Sequence, residues 1–457
     1  MTKLDARWAF AGLIVALVPC VFMWGFTVDD ALISVRYARH LASGAGYRFN
    51  AGGSVTDGVT PLPWPFVLGP LAWGSALDVL ICAKCLGLLA WTAASAALGV
   101  AVGRAAAATW FKAAALGSVA LSLPVAAHAV SGMETAIAMA CATAAALCGQ
   151  EHRRASAMFA GIAAAFRPEM APWALVMGLG AGWTRAWMAI APFVGCALVR
   201  LAVFGRAAPL AVLAKPSDLS HGAVYAAAAL IVAATPVLAI APWGIVRGPR
   251  AARVTVLAAL AHVAAIVAVG GDWMPYARLM APVVPSLAWA GVLAFPYVHR
   301  GAAAVRAGLA LLAGAANFVN AGPAGRGVGG DRRALIELAR PRLEGFASVA
   351  AVDIGWVSAA TEATVLDLAG VTDPDVAVLA GGHTSKRIDA ALLLSKNPEA
   401  LLFCVKGPMP PNWQDAHYAY VVEGRLARSE LIAAHYAPRA FLSLGRTGTG
   451  YLLLARK

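Results

Sequence analysis

The chain has 457 residues, 60% of them hydrophobic and only 13% charged, with a mean hydropathy of +0.72. A soluble domain carries about a quarter charged residues, so this balance excludes a soluble enzyme, a disordered chain and a nucleic-acid-binding module, and indicates a polytopic helical membrane protein. The excess of 36 Lys and Arg over 23 Asp and Glu is then first a topology signal and second a pointer to anionic lipid or phosphate partners.

The first apolar run, 9–26, follows only Lys3, Asp5 and Arg7 as charges and is not followed by a small-residue cleavage site. It reads as a retained first helix with a cytoplasmic N-terminus. A polar loop occupies 27–78. It holds a helix-like stretch from Asp30 to Ala42, a Gly-rich turn region, and an apolar run after Pro61–Pro65. That run is expected to lie along the membrane surface, with Trp64 and Trp73 at headgroup depth.

A span needs about 20 apolar residues. Candidates continue at 79–102, 110–130, 135–149, 186–205, 224–246, 254–270, 279–297 and 307–321. The stretch 155–184 is broken at Pro168 and reads as two half-length crossings, which makes eleven in all. Ala and Gly fill many of them, as close helix packing in lipid requires. The short basic loops, among them Arg104, Arg153-Arg154, Arg185, Arg247, Arg250 and Arg253, then fall on the cytoplasmic side. Lys84 fits this scheme poorly. Cys82 and Cys85 form a C-x-x-C without a second pair, Cys20, Cys141, Cys148 and Cys196 read as packing residues, and Cys404 is alone.

Gly322 to Asp331 reads as a linker. Beyond it, strands are expected at 347–354, 364–368, within 395–405 and at 418–422. The expected architecture is a polytopic α-helical membrane protein of the plasma (inner) membrane. Residues 1–321 form its transmembrane part, with the large first outer loop 27–78. Residues 322–457 form a small extracytoplasmic α/β domain.

Charged residues near membrane depth are costly and usually functional. In this topology they gather on the outer face: Asp29, Asp30, Asp57, Glu134, Arg167, Glu169, Lys215, Asp272 and Arg278. Asp29 or Asp30 could take a proton from a hydroxyl nucleophile, could hold a divalent metal together with Asp57, or could simply cap the following helix. Arg167 and Glu169 flank Pro168 and either border a polar cavity or satisfy each other at a kink. Arg278 could grip a phosphate in a bidentate way, and Lys215 could do so as a point charge. His128 and His262 read as satisfied buried histidines.

These segments resemble the polytopic GT-C glycosyltransferases, which use polyprenyl-phosphate-linked sugars outside the cytoplasm. The similar branch includes the terminal arabinofuranosyltransferases of the mycobacterial cell wall. The resemblance runs in family order through Asp29-Asp-Ala-Leu-Ile-Ser-Val-Arg-Tyr-Ala-Arg-His-Leu41, Gly44-Ala-Gly-Tyr-Arg-Phe-Asn50 and Val55-Thr-Asp-Gly-Val-Thr-Pro-Leu-Pro-Trp64. It continues through Ser131 to Thr135, Phe166 to Met170, Gly270-Gly-Asp-Trp-Met-Pro-Tyr-Ala-Arg278, Asp353-Ile-Gly355 and Asp367 to Pro374. One loop departs from the pattern, since Pro209 to Lys215 keeps only the ends of the family's P-N-T-x-x-x-K.

The resemblance implies a glycosyltransferase that moves a sugar, a pentofuranose among the candidates, from a polyprenyl-phosphate donor to a cell-envelope glycan or glycoconjugate. It implies Asp29 or Asp30 as the catalytic carboxylate. Arg278, Lys215 and Arg167 would hold the donor phosphate. Asp57, Thr60, Glu134, Glu169, Asp272 and Trp273 would line the substrate site. No nucleic acid is expected, and no cofactor is required, although a divalent metal is compatible. The competing classes are a lipid-linked substrate transporter or flippase and a non-catalytic envelope-assembly factor.

Overall fold

A computed structural model describes residues 2–149, 151–234, 246–443 and 448–457. The first helices are α1 (Lys3–Phe22), α2 (Asp29–Ala42), α3 (Pro63–Leu68), α4 (Ala76–Arg104), α5 (Thr109–Ala120), α6 (Leu123–Ala129) and α7 (Thr135–Cys148). They are followed by α8 (Arg153–Phe166), α9 (Ala171–Ala181), α10 (Ala186–Phe204), α11 (Leu210–Ala214), α12 (Leu219–Ala229), α13 (Arg250–Ala268), α14 (Val284–Ala294) and the long α15 (Arg300–Leu343).

Five helical segments are long and apolar enough to cross a membrane: α1, α4, Trp183–Phe204, α13 and α15. The bent pair α5 and α6, at 55°, makes a sixth. Thr135–Cys148, Leu219–Ala233 and Ala281–Tyr297 are apolar but shorter. Helices thus occupy the expected crossings, but five to six among the described residues reach spanning length rather than eleven. Part of the expected span at 224–246 lies outside the described residues.

The chain divides into two compact units. The first comprises 1–28, 81–199 and 217–328. Its helices approach closely through small residues. A Cβ on Gly12 would lie 2.1 Å from the Ser95 carbonyl oxygen, and one on Gly99 would lie 2.1 Å from that of Trp8. The Ser95 hydroxyl donates to the Gly12 carbonyl at 2.8 Å. Lys84 is buried and its ammonium donates to the carbonyls of Trp24 and Phe26. It closes the C-terminal end of α1, where a cation suits the helix dipole, and this accounts for a lysine that the charge tally leaves unexplained.

The segment 322–331 is not a linker. It lies inside α15, Pro323 included. Two of its glycines are there for close packing, since a Cβ on Gly325 would sit 2.5 Å from the Tyr276 hydroxyl and one on Gly322 would sit 3.0 Å from Phe22.

The second unit comprises 29–80, 200–216 and 329–457. The first loop therefore folds with the C-terminal part, whereas the sequence places it with residues 1–321. The sheet runs β2-β1-β3-β5-β4, formed by β1 (Ser348–Ala351), β2 (Thr364–Asp367), β3 (Ala400–Lys406), β4 (Tyr436–Ser443) and β5 (Thr449–Arg456). The first three strands are parallel, while β5 is antiparallel to both β3 and β4. Helix α16 (Ile354–Ala360) connects β1 to β2. The expected strand at 418–422 is replaced by a single bridge at Tyr418 and a helix from Val421 to Ala427. Strands β4 and β5 were not among the sequence expectations.

Trp64 is fully buried and Trp73 is 74% exposed. The two indoles therefore do not share an interfacial position. Trp64 packs inside the loop because Pro63 and Pro65 start a short helix that turns it inward.

Candidate functional site

The expected site residues fall into two groups, one in each compact unit. Asp29, Asp30, Asp57, Thr60 and Lys215 belong to the second, and Glu134, Arg167, Glu169, Asp272, Trp273 and Arg278 to the first.

In the second unit most residues of the first-loop motifs are fasteners. Both oxygens of the Asp29 carboxylate are occupied, since Gly355 N donates to Oδ2 at 2.8 Å and Trp356 N to Oδ1 at 2.9 Å. Asp29 thus caps α16 rather than its own helix. The D-x-G pattern has its reason here: a Cβ on Gly355 would stand 2.1 Å from the Asp29 carbonyl oxygen. Burial, opposed by Arg332 and reinforced by Asp353 and Asp30, pushes the Asp29 carboxyl up to about 6.

Arg36 is buried and donates to the carbonyls of Phe49, Ser358, Thr361 and Ala363 at 2.7 to 3.0 Å. Asn50 exchanges two hydrogen bonds with the Val365 backbone, extending the open edge of β2 with a side-chain amide. Tyr37 donates to the Thr56 carbonyl at 3.0 Å and accepts from Gly58 N. Arg, Asn and Tyr at these spacings are what a loop needs to be held by backbone carbonyls.

Asp57 is also committed. Its Oδ2 takes the Arg200 Nε at 2.7 Å, and the same guanidinium donates to the Thr60 carbonyl. The Asp57 and Arg200 side chains are buried. Asp57 is therefore matched by a cation of the chain itself. Among the described residues no three His, Cys, Asp or Glu side chains come together as a metal ligand set. Arg200 was not singled out in the sequence, although a lone arginine near the end of a long apolar helix was the available signal.

Asp30 stands apart from these anchors. Its side chain is 34% exposed, and the Lys215 ammonium lies 4.0 Å from Oδ2, itself 29% exposed. A carboxylate and an ammonium are thus held side by side, both reachable from solvent. Lys215 is set there by α11, whose last turn it ends with an N–H bond to the Ala211 carbonyl.

The sheet offers a second place to look, because open α/β sheets bind ligands beyond the carboxyl ends of their strands where the strand order reverses. Asp353 follows β1 at that point. It accepts the Tyr420 hydroxyl at 2.8 Å and the Tyr451 hydroxyl at 2.6 Å. Nearby, burial first and then Asp353 push the Glu423 carboxyl well above the usual range. Asp367, ending β2, is saturated by the amides of Ala369, Gly370 and Thr372 and by the Thr372 hydroxyl. The domain uses its own side chains where a nucleotide would sit in a doubly wound fold.

In the first unit, α8 and α9 are separated at Arg167, whose backbone is extended because the residue before a proline avoids the helical region. Arg167 Nη1 donates to Glu134 Oε1 at 2.8 Å, and its Nε donates to Glu169 Oε1 at 2.6 Å. All three side chains are nearly buried. The kink is thus an arginine shared by two carboxylates, with Glu134 recruited from the turn before α7. Glu134 Oε2 has no hydrogen-bond partner among the described residues.

The loop 270–278 is strained. Tyr276 and Ala277 have φ of 60° and 45°, and Gly270 and Gly271 are also left-handed. Such non-glycine conformations cost about 1–3 kcal/mol each and cluster at functional sites. Arg278 Nε donates to Asp272 Oδ2 at 2.7 Å. Trp273 is 68% exposed and stacks on His221 at 4.3 Å, a partner that the sequence reading missed. His128 and His262 are fully buried, each with a ring nitrogen against a backbone carbonyl, of Pro275 and Leu279 respectively.

The fold and these clusters define a helical protein with several helices long and apolar enough to cross a membrane and a small α/β unit. No protein-family model, no curated protein and no solved structure matches the chain.

Proposed function

We propose that the protein is a membrane glycosyltransferase of the GT-C type. It would move a sugar from a polyprenyl-phosphate donor to a glycan or glycoconjugate acceptor outside the cytoplasm. The observation that carries this reading is the division of labour at the Asp-Asp pair. Asp29 has both oxygens on backbone amides, while Asp30, half-buried, faces the Lys215 ammonium.

In this reading Asp30 is the general base. It accepts the acceptor's hydroxyl proton as that oxygen attacks the anomeric carbon and the bond to the phosphate oxygen breaks. The electron pair stays on the departing lipid phosphate, whose growing charge the Lys215 ammonium stabilises. The resemblance also gives Arg278 to the donor phosphate; within the first unit its Nε is held by Asp272. Arg167, shared by Glu134 and Glu169, is assigned to holding those carboxylates rather than the donor.

The test is transfer from a polyprenyl-phosphate pentose to acceptor by purified Asp30→Asn and Asp29→Asn proteins. Loss of a general base costs about 100–10,000-fold in rate. Asp30→Asn is expected to lose activity in that range at unchanged thermal stability, and Lys215→Met to weaken donor use. Near-native transfer by Asp30→Asn would defeat the mechanism and favour the envelope-assembly reading.

A further inference from the structure

A cavity of about 210 Å³ opens in the first unit between the starts of α8 and α13 and the end of α9. Its polar wall carries Arg153 and Arg250, and its apolar wall carries Met177, Ala181 and Val254. Both arginines are exposed, and neither forms an ion pair with a described residue. The cavity needs Gly180, since a Cβ there would lie 2.4 Å from Val254 Cγ1.

The two helix starts add to the positive character. Neither α8 nor α13 has a side-chain cap. The first backbone bonds of these helices are Ser156 N to His152 O and Arg253 N to Pro249 O. The amides of 153–155 and 250–252 therefore stand outside the helical ladders, and each helix presents the positive end of its dipole. Two guanidiniums and two such ends around one cavity call for an anion with several acceptor oxygens.

We infer that this cavity holds the phosphate of an anionic phospholipid headgroup. The volume is below the ~300 Å³ of a small-molecule pocket, enough for a headgroup with its chains left outside. The surroundings favour a lipid over free phosphate. Trp183, two residues beyond the cavity wall at Ala181, is 83% exposed, and Trp187 is 66% exposed. Exposed indoles at a helix end mark headgroup depth. Arg154, Arg185, Arg247 and Arg253 stand in or beside the same three loops, and basic pockets between helices take anionic headgroups. The inference is independent of the proposed transfer reaction.

Native mass spectrometry of the full chain, released from detergent with phosphatidylglycerol, phosphatidylcholine or inorganic phosphate, tests it. Phosphatidylglycerol is expected to be retained at least five-fold more than phosphatidylcholine. Arg153→Gln with Arg250→Gln should abolish that preference, while Arg300→Gln with Arg340→Gln, which removes equal charge elsewhere, should keep it. Either single substitution, read alone, should lower it about three-fold, so the test survives poor folding of the double variant. Equal retention of the two lipids, a preference that survives in the Arg153 and Arg250 variants, or phosphate displacing the lipid at millimolar concentration would each overturn the inference.

Discussion

Asp29 and Asp30 are adjacent in the chain but differ in their partners. Asp29 is held at about 6, above the ordinary aspartate value, because burial disfavours its charge more than Arg332 and the Trp356 amide favour it. The folded state therefore holds this proton more tightly than the unfolded chain. The contribution of Asp29 to stability is fully present below about pH 4 and is lost as pH rises through about 6, at most ~3 kcal/mol. Denaturant midpoints measured from pH 4 to 7 should show that slope, and Asp29→Asn should flatten it. A slope of the opposite sign would mean that the two amide bonds outweigh burial.

The same logic applies to Arg167. Removing it strands the nearly buried carboxylates of Glu134 and Glu169, and breaking a buried pair in this way costs about 3–5 kcal/mol. Arg167→Met should lower the thermal midpoint sharply. Adding Glu134→Gln and Glu169→Gln, which neutralises the stranded carboxylates, should recover much of the loss. No recovery would show that the arginine acts through packing alone.

At the scale of elements, α15 shows how composition misleads. A Gly-rich run containing Pro323 reads as a linker, yet it continues a 44-residue helix. Glycine lowers helix propensity by ~1 kcal/mol relative to alanine, but it also lets two backbones or a backbone and a ring meet. A Cβ on Gly325 would lie 2.5 Å from the Tyr276 hydroxyl and 2.8 Å from its ring, and that hydroxyl donates to the Ala321 carbonyl at 2.8 Å. Gly325→Ala should therefore destabilise despite its better propensity. Tyr276→Phe removes the nearest clashing atom, so the double variant should be more stable than the two single effects predict. Strict additivity in thermal unfolding would rule out the contact as the reason for the glycine.

The broken helix pair at 155–184 was legible, since a proline flanked by two charges inside an apolar stretch has few other solutions. Its third partner was not. Glu134 is 33 residues from Arg167 in the chain, and only packing of α7 against α8 brings them together.

At the scale of the molecule, the expected cytoplasmic N-terminus and outer C-terminal domain are tested by fusing phosphatase or a fluorescent protein to the C-terminus. Phosphatase activity without fluorescence is the expected outcome, and fluorescence alone would reverse the topology. The membrane character itself was evident from composition, because 13% charge cannot coat a soluble protein of this length. Helix positions followed from apolar run length, and β1, β2 and β3 from short apolar stretches between turn residues. These are local properties, each set within about twenty residues of chain.

What the sequence could not settle was which polar residues are free. Asp29, Arg36, Asn50 and Asp57 sit in the most suggestive motifs of the first loop, and each is taken up by partners far along the chain, at Gly355, Ser358, Val365 and Arg200. Spacing shows which residue types are present, but burial and pairing decide whether a carboxylate is an anchor or is available to react. Only the folded chain, by placing two backbone amides on Asp29 and the Lys215 ammonium beside a half-buried Asp30, distinguishes the two members of a pair that the sequence presents as equivalent.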